Sequence, residues 1–196
     1  MIKTIIFDFN GVFVEEPPEN AIHEKLGSSK KNFKLLQLFF PLELTLVQEG
    51  KKPAIWLWQK LYPGIEKKIL LDIIIREYSK AKKVKKMFEL CKKLKKNYDI
   101  YCLSNSNDLQ AKAYKKIGFY KIFKKTFLSN EIGKVKPKPT AFKIVLEKTN
   151  NKAKDCLFVD DSLKNILTAK LLGFKTIKFK NFETFVAELS KEGIKV

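Results

Sequence analysis

The sequence contains few of the residues that most often build nucleophile–base pairs and zinc sites. It has a single histidine, His23, a single arginine, Arg76, and three cysteines, Cys91, Cys102 and Cys156. One histidine is too few for a multi-histidine zinc site, and we expect no histidine-based dyad with serine or cysteine. The cysteines lack metal-ligand spacing, and the last two lie in apolar runs. We therefore expect buried, reduced thiols rather than disulfides or zinc ligands.

Long hydrophobic runs are also missing. A membrane-spanning helix needs roughly 20 consecutive apolar residues, and the longest candidate, 35–47, is interrupted by a glutamine, a proline and a glutamate. Lys3 and Asp8 disagree with a signal-peptide pattern. We therefore expect a cytoplasmic protein without a membrane partner. The 196 residues are 45% hydrophobic, which suffices for one full core, with or without an insertion.

Acidic residues are outnumbered by basic ones. The chain has 21 aspartates and glutamates against 40 lysines and arginines, which gives a formal net charge of +19. Such a charge favours encounters with anions, including nucleic acids. However, nearly all of it comes from lysine, which lacks the planar fork with which arginine contacts phosphates and guanine. We interpret the charge as a compositional bias, and nucleic-acid binding stays an open but less favoured function.

Short apolar runs and helical patterns alternate along most of the chain. The runs cover residues 2–7, 100–103, 126–128, 156–159 and 176–179. This alternation predicts an α/β protein with a parallel sheet. Residues 15–80 contain no clear strand, and prolines and glycines divide them into short amphipathic segments. We therefore predict a core formed by residues 1–14 and 81–196, with an inserted helical subdomain at 15–80.

Two segments lead to specific packing predictions. The clearest helical pattern covers 81–98, where lysines surround an apolar stripe of Val84, Met87, Phe88, Cys91 and Leu94. In the insertion, large apolar side chains cluster at Trp56, Leu57, Trp58, Leu61 and Tyr62. We expect this cluster to form the packing core of the insertion rather than a surface that faces substrate.

Four short polar segments occur where a parallel sheet would present them, near the carboxyl ends of its strands. They are Asp8 to Gly11, Ser104 with Asn105, Lys136 in a loop with two prolines, and Asp160 with Asp161 and Ser162. Singly, each has an ordinary structural explanation as a helix cap, a solvated loop cation or a strand-end turn. Their order along the chain predicts one site at the edge of the sheet.

The residue types in these segments suit phosphate chemistry. Adjacent carboxylates repel each other unless they share a cation or a proton, and Mg²⁺ prefers carboxylates, waters and phosphate oxygens. Asp8, Asp160 and Asp161 could supply such a metal site. A lysine and a hydroxyl opposite it would hold the other phosphoryl oxygens and leave one Asp8 oxygen free to attack phosphorus.

In this order the four segments resemble the motifs of the haloacid dehalogenase superfamily of phosphatases and related hydrolases. The matching stretches are 5–12 (IIFDFNGV), 103–105 (LSN), 136–139 (KPKP) and 158–162 (FVDDS). The resemblance implies a Rossmann-like, three-layer core around a parallel sheet. It also implies that the insertion after the first strand is a helical cap, which closes over the site, excludes water and selects the substrate.

The resemblance further implies a role for each acidic residue. Asp8 would be the nucleophile and would form an aspartyl-phosphate that water then cleaves. Mg²⁺ would be held by the Asp8 carboxylate, the backbone carbonyl of Asn10 and the carboxylate of Asp161. Asp160 would act on the ion through water. The main prediction is therefore a Mg²⁺-dependent phosphohydrolase that acts on a small phosphorylated metabolite.

The same resemblance assigns the phosphoryl group to the two middle motifs. Ser104 would bind a phosphoryl oxygen, Asn105 would shape the anion site, and Lys136 would neutralise the nucleophile and the phosphate together. Gly11 would allow a sharp turn and leave room for the substrate. Lys138 stands where the superfamily commonly has an acidic residue between two prolines, a departure that affects the local charge balance more than catalysis.

The serious departure from the superfamily lies at position 10. Its phosphatases usually have aspartate there, as general acid for the leaving group and base for water, and losing such a group typically costs about 10²- to 10⁴-fold in rate. Asn10 can hydrogen-bond the leaving oxygen but cannot transfer a proton. The alternatives are a slow phosphatase, a substrate with a good leaving group, a catalytically retired binder of a phosphorylated ligand, or an artificially substituted position.

A 2-haloacid dehalogenase is a minor alternative within the same superfamily. It would keep Asp8 as nucleophile but would need no metal, so the pair of Asp160 and Asp161 argues against it. It would also need a cationic pocket for halide and carboxylate, for which Arg76 is the only arginine. The sequence predicts neither the substrate nor the oligomeric state, since it contains no coiled-coil or repeat pattern.

Overall fold

A five-stranded parallel sheet lies at the centre of the computed structural model, which describes residues 1–15, 18–27 and 38–195. Its strands are β1 (Thr4–Phe7), β2 (Asp99–Ser104), β3 (Lys125–Leu128), β4 (Cys156–Asp160) and β5 (Lys175–Lys178). They lie in the order β3-β2-β1-β4-β5, and every neighbouring pair is parallel. Each predicted apolar run forms one of these strands, with small differences at the ends. The prediction of an α/β fold with a parallel sheet is therefore confirmed.

The regular elements among the described residues between β1 and β2 are helices. They form α1 (Pro18–Lys25), α2 (Pro41–Gln48), α3 (Ala54–Leu61), α4 (Lys67–Ser79) and α5 (Lys85–Leu94). The chain leaves and re-enters the sheet region at one place, because the Val84 N–H donates to the Phe13 carbonyl at 2.9 Å. The Glu15 N–H likewise donates to the Lys82 carbonyl at 3.1 Å. This arrangement agrees with a helical insertion, while its division from the core at residues 14 and 81 stays a prediction.

The remaining helices alternate with the strands, as parallel connections require. They are α6 (Asp108–Lys116) after β2, α7 (Ser129–Ile132) and α8 (Pro139–Thr149) after β3, α9 (Leu163–Leu171) after β4, and α10 (Phe182–Lys191) after β5. Short 3₁₀ turns lie at Phe119–Ile122 and Ala153–Asp155. Helices thus return the chain from each of β1 to β4 to the start of the next strand, and α10 follows the last strand.

Successive residues of a strand point to opposite sides of the sheet, so the apolar strands present apolar side chains on both faces. Helices cover both faces. Ile5 and Phe7 of β1 pack in one apolar cluster, while Ile6 packs in a second cluster. The second cluster includes Phe142 of α8 and Phe158 of β4, whose ring centroids lie 5.2 Å apart in an edge-to-face arrangement. Two apolar clusters around one sheet give the predicted three-layer, Rossmann-like architecture.

Helix α5 carries the apolar stripe predicted for 81–98 but is shorter than that range. Met87, Cys91 and Leu94 are buried in it, and it begins only at Lys85. The helix starts late because the residues before it pair with the start of the insertion instead: Val14 and Lys83 form an antiparallel bridge, and the Val84 N–H donates to the Phe13 carbonyl.

The aromatic cluster of the insertion forms a packing core, as predicted. Leu57 and Trp58 are buried, and Trp56, Leu61 and Tyr62 pack partly buried against the same cluster. The cysteines Cys91, Cys102 and Cys156 are buried and unpaired, which confirms the prediction for them. Across the described ranges, every helix is too short or too polar to cross a membrane.

Candidate active site

Three of the four predicted motifs meet at the carboxyl edge of the central strands. Asp8 follows β1 directly, Asp160 is the last residue of β4, and Ser104 is the last residue of β2. The Asp8 N–H donates to the Val159 carbonyl at 2.8 Å, which fixes the first motif beside the fourth. Because β1 lies between β2 and β4, the strand order brings these motifs together. Open α/β sheets bind ligands in the crevice outside these strand ends.

Lys136 joins the third motif to the first and the fourth. It lies in the loop between α7 and α8 and is only 3% exposed. Its Nζ is 2.9 Å from Asp8 Oδ1 and 2.6 Å from Asp160 Oδ2. Burial lowers the pKa of Lys136, but the attraction of the two carboxylates outweighs burial and holds this pKa above its ordinary range. Lys136 is therefore a fixed positive charge between two acids.

The two carboxylate oxygens of Asp8 have different surroundings. Oδ1 accepts a hydrogen bond from the Phe9 N–H at 2.6 Å and contacts Lys136 Nζ. No donor from the described residues reaches Oδ2. Burial raises the pKa of Asp8 to about 7, with Lys136 opposing the rise and Asp160 adding to it. Asp8 thus has one oxygen held by the protein and one available to a ligand.

The paired aspartates of the fourth motif also differ from each other. Asp160 is fully buried, its Oδ1 accepts from the Ser162 N–H at 2.8 Å, and both of its oxygens lie 3.0 Å from Asn165 Nδ2. Asp161 is exposed, and partial burial raises its pKa, with a further contribution from Asp160. Asn165, in the first turn of α9, is not among the predicted site residues. It holds Asp160 in place together with Lys136.

The three carboxylates fit a divalent cation. One oxygen from each of Asp8, Asp160 and Asp161 lies within 4.8 Å of the other two. Asp160 already accepts from Lys136 and Asn165, whereas no described side chain donates to Asp161. Hard oxygen donors of this kind suit Mg²⁺, and the hydrogen-bonded Asp160 is better suited to an indirect role than Asp161. The donor set therefore suits the predicted ion.

Gly11 keeps open the space beside Asp161. Its φ of +76° lies in the left-handed region that glycine adopts without strain. A Cβ at this position would lie 2.9 Å from Asp161 Cγ and closer still to Oδ2. Any side chain at position 11 would therefore displace the carboxylate that is available for the ion.

The two residues of the second motif are placed differently. Ser104 is 1% exposed and donates its hydroxyl to the Asn105 carbonyl at 3.4 Å. It is not among the described residues that line the cavity at this edge. Asn105 lines the cavity; its Nδ2 donates to the Lys136 carbonyl at 2.9 Å, and its Oδ1 accepts from the Lys136 N–H at 2.8 Å. Asn105 thus fixes the backbone of Lys136, while the phosphate contact of Ser104 stays a prediction.

A cavity of about 350 Å³ opens at this edge of the sheet. The sheet edge contributes Asp8, Asn10, Gly11, Asn105, Lys136 and Asp161 to its lining. The inserted helices contribute Glu19, Leu44, Val47, Gln48, Ala54, Trp58 and Tyr78. This volume lies at the lower end of ordinary ligand pockets and suits a small molecule. Trp58 therefore packs within the insertion but also faces the cavity, so the expectation that the cluster only packs is wrong for this residue.

Asn10 is loosely held at the boundary between the sheet edge and the insertion. Its Nδ2 donates to the Asn105 carbonyl at 3.4 Å, and its Oδ1 accepts from Gln110 Nε2 at 3.5 Å. Both distances exceed those of ordinary protein hydrogen bonds. The amide can therefore turn to donate to a ligand or accept from one, but in neither case does it give up a proton.

Some polar residues of the cavity are not among the predicted site residues. Glu19, on α1, accepts hydrogen bonds from the Tyr78 hydroxyl at 3.0 Å and from Gln110 Nε2 at 3.3 Å. Burial raises the pKa of Glu19. Asn107 donates to the Tyr78 hydroxyl at 3.1 Å and caps α6 by accepting from the Gln110 N–H. A helix-cap pattern gives a local signal for Asn107, whereas no sequence pattern places Glu19 beside Gln110.

Lys138 has an acidic partner that comes from the insertion. Its Nζ lies 2.7 Å from Glu49 Oε1, and Lys51 Nζ lies 2.7 Å from Glu49 Oε2. The Glu49 side chain is 5% exposed. Hydrogen bonds from Lys138 and Lys51 lower the pKa of Glu49 to about 2. The charge of the unusual lysine between the two prolines is therefore balanced at the end of α2.

Comparisons with known proteins agree with the predicted motifs. The model of the haloacid dehalogenase-like hydrolase family matches residues 2–173. The chain is also 27% identical to a D-ribitol-5-phosphate phosphatase of Bacteroides thetaiotaomicron, over 97% of this chain and 98% of that protein. The match covers the sheet, the site and the insertion together.

Solved structures give the same result. A HAD family enzyme from Bacteroides thetaiotaomicron, solved in complex with magnesium and inorganic phosphate, has a TM-score of 0.76 at 26% identity and covers 92% of this chain and 95% of its own. A HAD-like family hydrolase from Porphyromonas gingivalis has a TM-score of 0.78 at 21% identity over 100% of both chains, which shows the fold. The four motifs, the sheet and these matches together place the chain in the haloacid dehalogenase-like hydrolase family, as a phosphatase-like hydrolase.

Proposed function

We propose that the protein is a Mg²⁺-dependent phosphohydrolase that cleaves a small phosphate monoester through an aspartyl-phosphate on Asp8. The observation that carries this proposal is the position of Lys136, with Nζ 2.9 Å from Asp8 and 2.6 Å from Asp160 at a cavity that Asp161 also lines. The lysine and a metal ion held by the carboxylates would together place two positive charges beside the oxygens of a phosphoryl group. The magnesium and inorganic phosphate bound by the neighbour from Bacteroides thetaiotaomicron support the same ligands.

Asp8 supplies the attacking oxygen in this proposal. Because Oδ1 is held by the Phe9 N–H and Lys136, Oδ2 forms the bond to phosphorus while the bond to the leaving oxygen breaks. Asp8, Asp161 and the backbone carbonyl of Asn10 would hold Mg²⁺, which when bound supplies positive charge to the phosphoryl oxygens. Water then attacks phosphorus, releases inorganic phosphate and restores the Asp8 carboxylate.

Asn10 decides which esters react fastest. A leaving alkoxide needs a proton, and an amide can stabilise it with a hydrogen bond but cannot protonate it. The proton must come from solvent, and the hydrolytic water has no side-chain base at this position. A general acid usually raises the rate by about 10²- to 10⁴-fold. Esters with acidic leaving groups need this proton least, so their hydrolysis is slowed least by its absence.

A small polyol or sugar phosphate is the first substrate class to test. The relative named D-ribitol-5-phosphate phosphatase matches along nearly the whole chain, and a cavity of about 350 Å³ suits a molecule of this size. Dehalogenation is less favoured. Arg76 is exposed on α4 and is not among the described residues that line the cavity, so it is not placed to bind a halide or a carboxylate there.

One second candidate is favoured by a specific observation. Asn10 cannot transfer a proton, but the charged residues that would bind a phosphoryl group and its metal, Lys136, Asp8 and Asp161, are all present. A protein of this kind would bind a phosphorylated ligand without turning it over. Binding and catalysis therefore have to be measured separately.

The test is release of inorganic phosphate at neutral pH from p-nitrophenyl phosphate and D-ribitol 5-phosphate, with Mg²⁺ and with a chelator. We expect Mg²⁺-dependent release by the wild-type protein and none by Asp8→Asn. Asp72→Asn, an exposed position on α4, serves as the matched control and should behave as wild type.

The other outcomes are equally informative. If the wild-type protein releases no phosphate and Asn10→Asp does, the protein is a binder rather than a catalyst. If neither releases phosphate and calorimetry detects no Mg²⁺ binding, the assignment of the active site is wrong.

A further inference from the structure

The wall of the cavity is uneven in charge. Lys136 is the only cation among the described residues that line it, and it lies beside Asp8. Beyond Asn10 the described lining carries no positive charge: Leu44, Val47, Ala54 and Trp58 form its apolar part, and Glu19, Tyr78, Asn107 and Gln110 form a polar surface beside them. If the phosphoryl group contacts Lys136, the rest of the substrate meets this second surface. A second anionic group there would find a carboxylate and no counter-charge.

Glu19 is held firmly at this surface. The Tyr78 hydroxyl donates to its Oε1 at 3.0 Å, and Tyr78 is itself fully buried. Asn107 Nδ2 donates to the same hydroxyl at 3.1 Å, which directs the hydroxyl proton toward Glu19. Gln110 Nε2 donates to Glu19 Oε1 at 3.3 Å. A carboxylate fixed in this way is pre-organised to accept hydrogen bonds from a ligand at little entropic cost.

The surface offers the two kinds of partner that a hydroxyl group needs. A carboxylate has about four acceptor positions, and the side chains of Tyr78 and Gln110 use only part of that capacity. The side-chain amides of Asn107 and Gln110 are donors beside it. A hydroxyl both donates and accepts, so neighbouring hydroxyls can bond to the carboxylate and to an amide together.

We infer that Glu19 is a specificity-determining residue, which binds the hydroxyls of an uncharged polyhydroxylated substrate and repels substrates that carry a second anionic group. This inference rests on the proposed phosphohydrolase function and extends it to the part of the substrate that does not react. The geometry that carries it is the chain of hydrogen bonds from Asn107 through Tyr78 to Glu19, with the Gln110 amide beside the same carboxylate.

The test compares three phosphate esters with wild-type protein and Glu19→Gln. D-ribitol 5-phosphate has an uncharged hydroxylated arm, 3-phosphoglycerate has a carboxylate, and p-nitrophenyl phosphate has neither. We expect kcat/KM of the substituted protein to fall about 10- to 100-fold for the polyol ester, mainly through KM, because a charged hydrogen bond is lost. It should rise for 3-phosphoglycerate and change less than about threefold for p-nitrophenyl phosphate, because the reacting groups are untouched.

Two further variants separate charge from packing. Glu19→Asp keeps the negative charge but places the carboxylate farther from the substrate, because the side chain is one carbon shorter. This protein should lose activity on the polyol ester while still rejecting 3-phosphoglycerate. Glu24→Gln removes an exposed carboxylate from the same helix and should leave all three values unchanged. An equal loss on all three esters in Glu19→Gln, or an unchanged ratio between them, would overturn the inference.

Failure of the proposed function gives a different result. If the wild-type protein hydrolyses none of the esters, that function is wrong, and calorimetry on the Mg²⁺-loaded protein then tests Glu19 directly. Tighter binding of D-ribitol 5-phosphate than of 3-phosphoglycerate, with the preference lost in Glu19→Gln, supports the inference without catalysis. Equal affinities, or no binding of either ester, contradict it.

Discussion

The two sides of the cavity are built in different ways. At the sheet edge, strongly charged groups are buried and paired with each other, as Lys136 is with Asp8 and Asp160. On the side of the insertion, the polar contacts of the cavity are single hydrogen bonds from uncharged side chains, such as the one from Gln110 to the partly exposed Glu19. Leaving a buried charge unpaired costs far more than losing one such hydrogen bond. The sheet edge therefore tolerates less change, and the insertion is the side where specificity can vary.

Besides the contacts of Glu19 and Tyr78 with α6, a group of contacts between the insertion and the sheet edge falls within one short stretch of the chain, residues 49–54. The Ala54 N–H at the start of α3 donates to Asp108 Oδ1 at 2.7 Å. Glu49, at the end of α2, contacts Lys138. Gly50 lies directly against the backbone carbonyl of Asn130. The region between α2 and α3 is thus a junction, and changes there should affect both sides of the cavity.

The largest effect is expected from removing the shared cation. Lys136→Met leaves Asp8 and Asp160 facing each other without a counter-charge, so we expect the free energy of unfolding to fall by about 3–5 kcal/mol. Phosphate release should fall to background in the same protein. Urea denaturation and the phosphate assay measure the two effects. Lys134→Met, an exposed position in the same loop, is the control. A substituted protein as stable as wild type would mean that the sheet edge is not dominated by charge.

The next effect is a gain rather than a loss. Asn10→Asp supplies the missing proton donor and base, so we expect kcat for an alkyl phosphate to rise by about 10²- to 10⁴-fold. The gain should be smaller for p-nitrophenyl phosphate, whose leaving group needs no proton. Asn97→Asp, at an exposed position, should change neither rate. Equal gains on both esters would show that Asn10 does not act on the leaving group.

A smaller effect is expected at the junction. Gly50 has a φ of +68°, and a Cβ there would overlap the Asn130 carbonyl. Gly50→Ala should therefore destabilise the protein by about 1–3 kcal/mol and raise KM, because the inserted helices are pushed from the sheet edge. Gly27→Ala is a close control, since Gly27 has a φ of +81° but no atom of the described residues within 4 Å of the added carbon. If both substitutions lower the free energy of unfolding by the same amount, the loss comes from backbone conformation alone and not from a close contact with Asn130.

The smallest effect is expected from breaking the ion pair between Glu49 and Lys138 across the junction. A double-mutant cycle with Glu49→Gln and Lys138→Met should give a coupling of about 0.2–1 kcal/mol, because Lys138 is largely in solvent. Thermal or urea denaturation of the four proteins measures it. Lys180→Met, an exposed lysine after β5, replaces Lys138→Met in the control cycle and should give no coupling.

The same pair has a predictable pH dependence. The pKa of Glu49 is lowered to about 2 in the folded protein, from an ordinary value of 4.5. A carboxylate whose pKa is lowered by folding contributes stability above its unfolded pKa. The coupling should therefore be constant from pH 8 to about pH 5 and should decline as the pH falls toward 2. A coupling that instead grew on acidification would contradict the assigned charge states.

The sequence predicts the sheet and its polar edge well, because both depend on short local patterns. A buried parallel strand is a run of apolar residues, and the side chains that follow it reach one edge whatever connects the strands. Asp8, Asp160 and Asp161 are brought together for that reason. Lys136 is found through a local motif, although its distances to both aspartates are a tertiary result.

The residues that sequence reasoning misses are held by distant partners. Glu19 meets Gln110 across 91 positions of the chain, and Ala54 meets Asp108 across 54. Such contacts depend on how the helices pack, which no local pattern encodes. The late start of α5 also depends on a distant partner, since the antiparallel bridge between Val14 and Lys83 pairs the residues before the helix across the entrance to the insertion.

By itself the sequence determined the fold class, the order of the four motifs and the substitution at position 10, because these depend on residue type and local spacing. Only the tertiary structure decided that Lys136 is shared by two carboxylates, that Lys138 is balanced by Glu49, and that Glu19 lies at the cavity. The physical reason is that charge pairing and hydrogen bonding act over a few ångströms in space, whatever the distance along the chain.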